Sequence, residues 1–257
     1  MTVLTGKCAV VTGASSEKGI GRTIARRLAE NGASVFLVAE GPAEQLQAAQ
    51  RECRASPAAG RIEYGIFDLA VAGSAEAMIA EADRLFGRVD ILVNNAVFRT
   101  DYDFGDYTHA MFDRAIAVNL AAPFFASQAV VPVMRRQGGG RIIHIASQLA
   151  KVAFAKRALY GLTKAAIVHL TKSMALELGR HGIIVNSISP GPILTQPILA
   201  RFNADPAAGK RRIDAYMPIG RFGEAEEIAE VAVFLASSGP GFLQGEDICV
   251  DGGYTVH

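Results

Sequence analysis

A hydroxyl, a phenol and an ammonium group follow one another at short spacing in this 257-residue chain, as Ser147, Tyr160 and Lys164. Tyr160 and Lys164 are four residues apart, which places them on the same face of a helix. A nearby cation favours the ionised form of a phenol, so Tyr160 can serve as both acid and base. The Ser147 hydroxyl can hydrogen-bond a substrate oxygen. Together the three residues predict hydride transfer between a cofactor and an alcohol or ketone.

A glycine-rich segment near the start of the chain, residues 12–21, follows an apolar run and opens a helical pattern. Glycines in such a turn let the backbone approach a pyrophosphate at the N-terminus of the helix. About twenty residues later comes Glu40, at the end of the second apolar run, where a carboxylate can accept hydrogen bonds from an adenosine ribose. The pattern predicts a dinucleotide site. Glu40 favours NAD, whereas Lys18 inside the turn leaves NADP open.

The composition argues against several classes of protein. Lys plus Arg number 26 and Asp plus Glu 25, so no overall charge attracts nucleic acid or an anionic membrane. The three cysteines, Cys8, Cys53 and Cys249, are too widely spaced to suggest a disulfide framework or a zinc site, and no metal is expected. The polar start is too short for a signal peptide, and we interpret the apolar stretch 115–134 as a buried helix. We therefore expect a cytoplasmic protein.

Short apolar runs alternate with helical patterns along the whole chain, which is typical of strand-helix-strand units. The predicted strands cover residues 7–12, 34–39, 61–67, 89–93, 141–146, 183–187 and 247–250. The predicted helices cover residues 20–31, 43–54, 74–86, 109–137, 157–180 and 224–236. We expect one α/β domain, residues 1–257, with a Rossmann-like, doubly wound parallel sheet of about seven strands and helices on both faces.

The alternation of strand and helix patterns is interrupted at residues 190–218, which carry a basic run at 210–212 and show no strand period. A long connection after a late strand lies at the carboxyl edge of the sheet, where a mobile lid over the ligand is expected; an ordinary surface excursion is the alternative. Six basic residues lie on the predicted loops and the lid: Arg99, Lys151, Lys156, Arg157, Arg201 and Arg211. They suggest an anionic substrate, although basic side chains on loops are commonly just solvated.

Two further polar residues have competing interpretations. Asp68 follows the third predicted strand, where it could accept a hydrogen bond from an adenine amino group or simply cap a helix. His144 lies within an apolar strand pattern, which favours a core residue over a catalyst.

Several more motifs extend these patterns over nearly the whole chain. They are Thr12-Gly13 to Gly21, Asn94-Asn95-Ala96, Asn119, Ser147, Tyr160 with Lys164, Pro190-Gly191 with Thr195, and Val250-Asp251-Gly252-Gly253. In these motifs the chain resembles the short-chain dehydrogenase/reductase family, of the compact single-domain type. Two positions depart from the family pattern. Gly13 and Gly19 enclose five residues instead of three, and Val97 stands where a glycine is usual.

The resemblance implies roles for individual residues. Asn119 would be a fourth catalytic residue beside Ser147, Tyr160 and Lys164, holding a water that links Lys164 to solvent. Its side chain can at the same time have a structural role, by stabilising a kink in its helix. Asn95 would support the nicotinamide end of the site. Lys164 would hold the nicotinamide ribose, and Ile193 and Thr195 would meet the carboxamide. The full set expected at the cofactor is Gly13, Ser15, Ser16, Lys18, Gly19, Ile20, Gly21, Glu40, Asp68, Leu69, Asn95, Ala96, Tyr160, Lys164, Pro190, Gly191, Ile193 and Thr195.

The resemblance also implies a homotetramer and a choice of functions. The expected function is that of an NAD(P)-dependent oxidoreductase acting on a sugar, polyol, hydroxy acid or cyclic alcohol. An NADPH-dependent 3-oxoacyl thioester reductase is an alternative, because the family uses the same four catalytic residues for that task. Enoyl reduction is disfavoured, because that branch separates its Tyr and Lys more widely than Tyr160 and Lys164. A non-catalytic nucleotide-binding subunit is a further alternative, disfavoured by the intact catalytic set.

Overall fold

Every strand in the described residues, 2–239 and 241–256 of the computed structural model, joins one parallel sheet. The strands are Cys8–Thr12 (β1), Ser34–Ala39 (β2), Ile62–Ile66 (β3), Ile91–Asn94 (β4), Gly140–Ile145 (β5), Ile183–Pro190 (β6) and Asp247–Val250 (β7). Their order across the sheet is β3-β2-β1-β4-β5-β6-β7. The chain thus winds outward in both directions from β1 and β4, the pattern of a Rossmann-like fold, and the predicted fold class is confirmed.

Helices connect the strands. They are Ile20–Glu30 (α1), Ala43–Arg54 (α2), Ser74–Phe86 (α3), His109–Ile116 (α4), Ala122–Arg136 (α5), Ala158–Leu178 (α6), Gln196–Ala204 (α7), Pro206–Tyr216 (α8) and Ala225–Ala236 (α9). The sequence patterns placed no helix within 190–218, where α7 and α8 lie. The start of α8 nevertheless carries a local signal, because Asp205 caps it by accepting from the Ala208 amide at 2.9 Å and Pro206 occupies the first turn.

The two faces of the sheet bury separate sets of apolar side chains, because successive residues of a strand point to opposite faces. Ala9 and Val11 of β1 face a core that includes buried residues of α1, α2 and α9. Val10 faces the other way, into a core formed with α3, α5 and α6. Phe36 of β2 is fully buried there, a burial that contributes about 2 kcal/mol to stability. Helices therefore cover both faces of the sheet.

Among the described residues, one helical run, His109–Arg136, is long and apolar enough to cross a membrane by length and composition alone. It is interrupted by a π-helical turn at Ala117–Ala121, between α4 and α5. The buried residues of α5, which include Ala126, Val130 and Met134, pack into the core on one face of the sheet. The run is thus a core helix of this fold, as the sequence analysis expected.

The carboxyl ends of the central strands lie side by side at one edge of the sheet. Thr12 ends β1, Asn94 ends β4, Ile145 ends β5 and Pro190 ends β6. In open parallel sheets ligands bind at this edge, next to the point where the strand order reverses. The loops that follow these four residues bring the candidate functional side chains together.

Candidate active site

The glycine-rich turn after β1 packs directly against the loop after β4. The Asn95 side-chain amide donates to the carbonyl oxygens of Thr12 at 2.9 Å and Gly13 at 3.2 Å. The Thr12 hydroxyl accepts in return from the backbone amides of Asn95 and Ala96, at 2.9 and 3.0 Å. Four hydrogen bonds therefore join the two loops, two donated by the Asn95 side chain and two accepted by the Thr12 hydroxyl.

This close approach explains two of the glycines. A Cβ on Gly13, whose φ is +68°, would lie 2.9 Å from the Ala96 Cα atom. A Cβ on Gly21 would lie 2.3 Å from the Asn95 side-chain nitrogen and 2.5 Å from the Gly13 oxygen. A side chain at either position would collide with these atoms, so the two glycines allow the turn to pack closely against the loop after β4.

Gly21→Ala is therefore expected to weaken NADH binding and to lower the free energy of unfolding by about 1–3 kcal/mol, because the added methyl displaces Asn95. Gly105→Ala is the matched control, since nothing lies within 4 Å of a Cβ there. Fluorescence titration with NADH and denaturant unfolding of both variants test this. Normal NADH binding by Gly21→Ala would show that the turn tolerates a side chain.

Most of the residues expected at the cofactor line one groove of about 420 Å³. They are Gly13, Ser15, Ser16, Gly19, Ile20, Gly21, Glu40, Asp68, Leu69, Asn95, Ala96 and Thr195. The groove fits a dinucleotide, because it joins glycine backbone at a helix N-terminus to a carboxylate at the end of β2. Lys18 is an exception, since its exposed side chain does not line the groove.

The far end of the groove holds an ion pair that the sequence patterns did not reveal. Arg114 donates to the Glu40 carboxylate at 2.9 Å, and its guanidinium lies 5.4 Å from the centroid of the Phe98 ring. Arg114 is 74 residues from Glu40, so no local signal connects the two. Asp68 lines the same groove and accepts from the Ala70 amide at 2.9 Å. It does not cap a helix, which was one of its two expected roles, because the N-cap of the following helix, α3, is Gly73.

Ser147, Tyr160 and Lys164 line a second cavity, of about 240 Å³. Pro190, Gly191 and Ile193, expected at the cofactor, lie here and not in the groove. Ile20, Asn95, Val97 and Arg99 line both spaces, so the groove and the cavity adjoin. The structure thus brings the catalytic candidates of β5 and α6 to the end of the dinucleotide groove.

Lys164 is buried, and its ammonium donates to the Ile145 carbonyl oxygen at 2.7 Å. Its nitrogen lies 5.8 Å from the centroid of the Tyr160 ring, one helical turn away on α6. Burial, with the nearby positive charge of Arg99, lowers the pKa of Lys164 to about 7. The ammonium is therefore close to its titration point at neutral pH.

The Ser147 hydroxyl has local partners. It accepts from the Leu149 amide at 3.2 Å and donates to the Gln148 side-chain oxygen at 2.9 Å. Gln148 is buried and lines the same cavity, although the sequence patterns did not mark it. Its position directly after Ser147 at the end of β5 is the signal that could have found it.

Asn119 lies beneath the cavity and does not line it. Its side-chain oxygen accepts from the Phe98 amide at 2.7 Å, and its nitrogen donates to the Phe98 carbonyl at 2.9 Å. The same nitrogen donates to the Thr163 hydroxyl at 3.2 Å. Asn119 thereby joins the π-helical turn to the loop after β4 and to α6.

His144 of β5 is fully buried and bonds the Asn94 side-chain amide at 3.2 Å. Burial and the charge of Lys164 lower its pKa to about 3, so the imidazole is neutral. It lines neither space, in agreement with the expected core role. Among residues 2–239 and 241–256, no cluster of three or more His, Cys, Asp or Glu could hold a metal ion.

The six basic candidates separate into two groups. Lys151 pairs with Asp247 at 3.2 Å and Lys156 with Asp103 at 3.0 Å, and neither lines the cavity. Arg211 is exposed and does not line it either. The second group lines the cavity and consists of Arg99, Arg157 and Arg201. Arg212, which is not among the six candidates, lines the cavity as well.

Comparison with known proteins gives consistent matches over nearly the whole chain. A family profile described as "Enoyl-(Acyl carrier protein) reductase" matches residues 13–255. D-threitol dehydrogenase from Mycolicibacterium smegmatis (strain ATCC 700084 / mc(2)155) is 38% identical over 256 residues, which cover 98% of this chain and 94% of that protein. Gluconate 5-dehydrogenase from Gluconobacter oxydans (strain 621H) is 36% identical over 253 residues, covering 98% and 96%. A solved structure of a short-chain dehydrogenase/reductase from Serratia marcescens BCRC 10948 matches with a TM-score of 0.90 and 36% identity, covering 98% and 99%.

Proposed function

Because the chain belongs to the short-chain dehydrogenase/reductase family and is an NAD(P)-dependent oxidoreductase of CH–OH groups, we propose that it oxidises a secondary alcohol of a small molecule. The substrate classes are a sugar, a polyol, a hydroxy acid or a cyclic alcohol. One observation carries the proposal: Ser147, Tyr160 and Lys164 line a cavity that adjoins a groove built for a dinucleotide. The names of two similar proteins, gluconate 5-dehydrogenase and D-threitol dehydrogenase, support the hydroxy acid and polyol classes.

The side chains divide the work of proton transfer. Tyr160 exchanges a proton with the substrate hydroxyl, and the Ser147 hydroxyl holds the substrate oxygen beside it. Lys164 in its protonated form and Arg157, each about one helical turn from Tyr160, supply positive charge that favours the phenolate. When bound, NAD(P)⁺ supplies the hydride acceptor. Asn119 acts through the Phe98 loop and Thr163, by holding the walls of the site in place.

The function is tested by incubating the purified protein with NAD⁺ and a panel of sugars, polyols, hydroxy acids and cyclic alcohols, and following formation of NADH. Oxidation of at least one class with saturation kinetics is the expected result. Activity restricted to NADPH and 3-oxoacyl thioesters would replace the proposal with reduction of acyl substrates. Tight NADH binding without turnover of any substrate would instead favour a non-catalytic nucleotide-binding role.

We propose NAD as the preferred cofactor. Glu40 lines the groove at the end of β2 and repels a 2′-phosphate, whereas Lys18 lies outside the groove. Tighter binding of NADH than of NADPH is therefore expected in the same fluorescence assay. Glu40→Ala frees Arg114 from its ion pair, so this variant should gain affinity for NADPH, whereas Glu44→Ala on the exposed face of α2 should not.

A homotetramer in the cytoplasm is the proposed state of the protein. Helices α4, α5 and α6 expose large apolar side chains, which include Phe112, Phe124, Leu162 and Leu176. Exposed apolar surface of this kind favours association with another copy of the chain. Three free cysteines, of which Cys8 and Cys53 are buried, suit a reducing compartment.

A further inference from the structure

The cavity that holds Ser147, Tyr160 and Lys164 has a strong excess of positive charge. Besides Lys164, four guanidinium groups line it, and one carboxylate does. The guanidinium groups belong to Arg99, Arg157, Arg201 and Arg212, and the carboxylate to Asp205. Asp205 is already engaged at the N-terminus of α8, where it accepts from the Ala208 amide. The excess is unusual because the whole chain is nearly neutral, with a net charge of +1.

Internal ion pairs offset only part of this charge. Arg157 and Arg201 share a single carboxylate, that of Asp101, which lies 3.0 Å from Arg201. Arg99 and Arg212 have no acidic partner within 2–239 and 241–256. The two guanidinium groups without a counter-ion thus face the same space as the catalytic side chains.

Arg212 is held in place and yet incompletely satisfied. Its guanidinium lies 5.3 Å from the centroid of the Phe154 ring, another side chain of the cavity wall. Its Nε atom is buried and has no hydrogen-bond partner in the described part of the chain. A buried donor without a partner is costly, and a planar guanidinium pairs best with a carboxylate or a phosphate. The arrangement is therefore suited to an anion.

Electrostatics among the arginines supports this interpretation. Burial, together with repulsion from Arg99, Arg201 and Arg212, lowers the pKa of Arg157. An anion bound among these groups would relieve their mutual repulsion, because charges interact strongly where water is excluded. An anionic ligand would therefore be favoured at this position in the cavity.

We propose that the substrate carries an anionic group, a carboxylate or a phosphate, which Arg212 binds with help from Arg99 while the reacting hydroxyl lies at Ser147 and Tyr160. This inference rests on the proposed function and narrows its substrate class. Arg99 also lines the cofactor groove, so it could touch either molecule, whereas Arg212 lines the substrate cavity alone. A volume of about 240 Å³ suits a small acid or a phosphorylated polyol.

Arg212 is the residue to test, and its neighbour is a matched control. Arg212→Met removes the charge and keeps much of the side-chain length, and Arg212→Lys keeps the charge without the planar donor pair. Arg211→Met makes the same change one position earlier, at an exposed residue outside the cavity. Kinetics with NAD⁺ are measured on matched pairs: gluconate with sorbitol, threonate with threitol, and 3-hydroxybutyrate with butan-2-ol. Sorbitol 6-phosphate separates phosphate from carboxylate recognition.

For the matched pair of substrates that the wild-type protein oxidises most efficiently, we expect a higher kcat/KM with the anionic member than with the neutral one. Arg212→Met should lower that preference about tenfold to a hundredfold, as loss of a charge-assisted hydrogen bond implies. Arg212→Lys should restore part of it, and Arg211→Met should match the wild type. A preference for the neutral member, or an equal effect of Arg211→Met and Arg212→Met, would overturn the inference.

A binding measurement keeps this result separate from the proposed function. Thermal unfolding of the NADH-loaded protein is followed with malonate, glutarate or inorganic phosphate, and with propane-1,3-diol as the neutral probe. Stabilisation by an anion in the wild type and its loss in Arg212→Met support the anion site even if no alcohol is oxidised. Oxidation of neutral alcohols without any anion effect would leave the function standing and remove this inference.

Discussion

Tyr160→Phe is expected to lower kcat/KM for alcohol oxidation by about 10²–10⁴-fold, because it removes the group that takes the substrate proton. The ring packing should survive the change, since Tyr160 is only 9% exposed and a phenylalanine keeps its shape. NADH affinity is expected to remain close to that of the wild type. Steady-state kinetics on the best substrate from the panel, with a parallel NADH titration, measure both quantities.

Tyr254→Phe is the control for this experiment. Tyr254 is similarly buried, stacks on Tyr216 and lines neither the groove nor the catalytic cavity. Its loss should leave the kinetics unchanged. Should Tyr160→Phe keep more than about a tenth of the wild-type kcat/KM, another residue must be the general base.

Lys164→Met is the second change with a large expected effect. Loss of the ammonium beside the Tyr160 ring should lower kcat/KM by about 10²–10³-fold, because Lys164 is buried whereas Arg157, the other cation one turn from the phenol, is partly exposed and paired with Asp101. Lys172→Met, two turns further along α6 at an exposed position, should keep wild-type activity. Full activity of Lys164→Met would remove Lys164 from the proposed mechanism.

The same variant should change how stability depends on pH in the protein without cofactor. The folded pKa of Lys164 is lowered to about 7, whereas a lysine in the unfolded chain titrates near ~10.4. Between these values the unfolded chain holds a proton that the folded chain has released. The free energy of unfolding therefore rises with pH between these two pKa values, by at most about 1.4 kcal/mol per pH unit. Below pH 7 both the folded and the unfolded chain hold the proton, so this dependence on pH disappears.

Denaturant unfolding of wild type and Lys164→Met at several pH values between about 7 and 9 measures this difference in slope. The buried thiols of Cys8 and Cys53, whose pKa values burial raises to about 12, contribute equally to both proteins. The wild type should gain stability relative to the variant as the pH rises. Parallel curves would mean that Lys164 is already charged in the folded protein across this range.

The fold was predictable from the sequence to a large extent. The six predicted helices correspond to seven observed ones, because the predicted helix 109–137 contains both α4 and α5. All strands of the described sheet lie within a few residues of their predicted positions, because each repeats a pattern of apolar residues along the chain. The strand β6 is longer than predicted, reaching Pro190, and the run 109–137 contains a π-helical turn. Helices α7 and α8 were not predicted, although each has a proline in its first turn, where proline is favoured.

The candidate site was predictable in its residue types and less so in its contacts. The spacing of Ser147, Tyr160 and Lys164 could be seen in the sequence, since Tyr160 and Lys164 share one helix and Ser147 follows the end of β5 by two residues. Asn95 was expected at the nicotinamide end, and the structure shows its amide bound to the carbonyls of Thr12 and Gly13. That contact joins loops that follow different strands, so no local pattern contains it.

The strands and helices of the sheet, the glycine turn at the first helix and the candidate catalytic residues could be predicted from the sequence alone, because each depends on spacing within a short segment. Which charges meet depends on the tertiary structure. It paired Arg114 with Glu40, and it turned Arg212 into the cavity while Arg211 remained exposed. One step along a helix rotates a side chain by about 100°, so the packing of α8 decides which arginine faces the cavity. Packing between distant segments sets that rotation, and the order of residues alone does not reveal it.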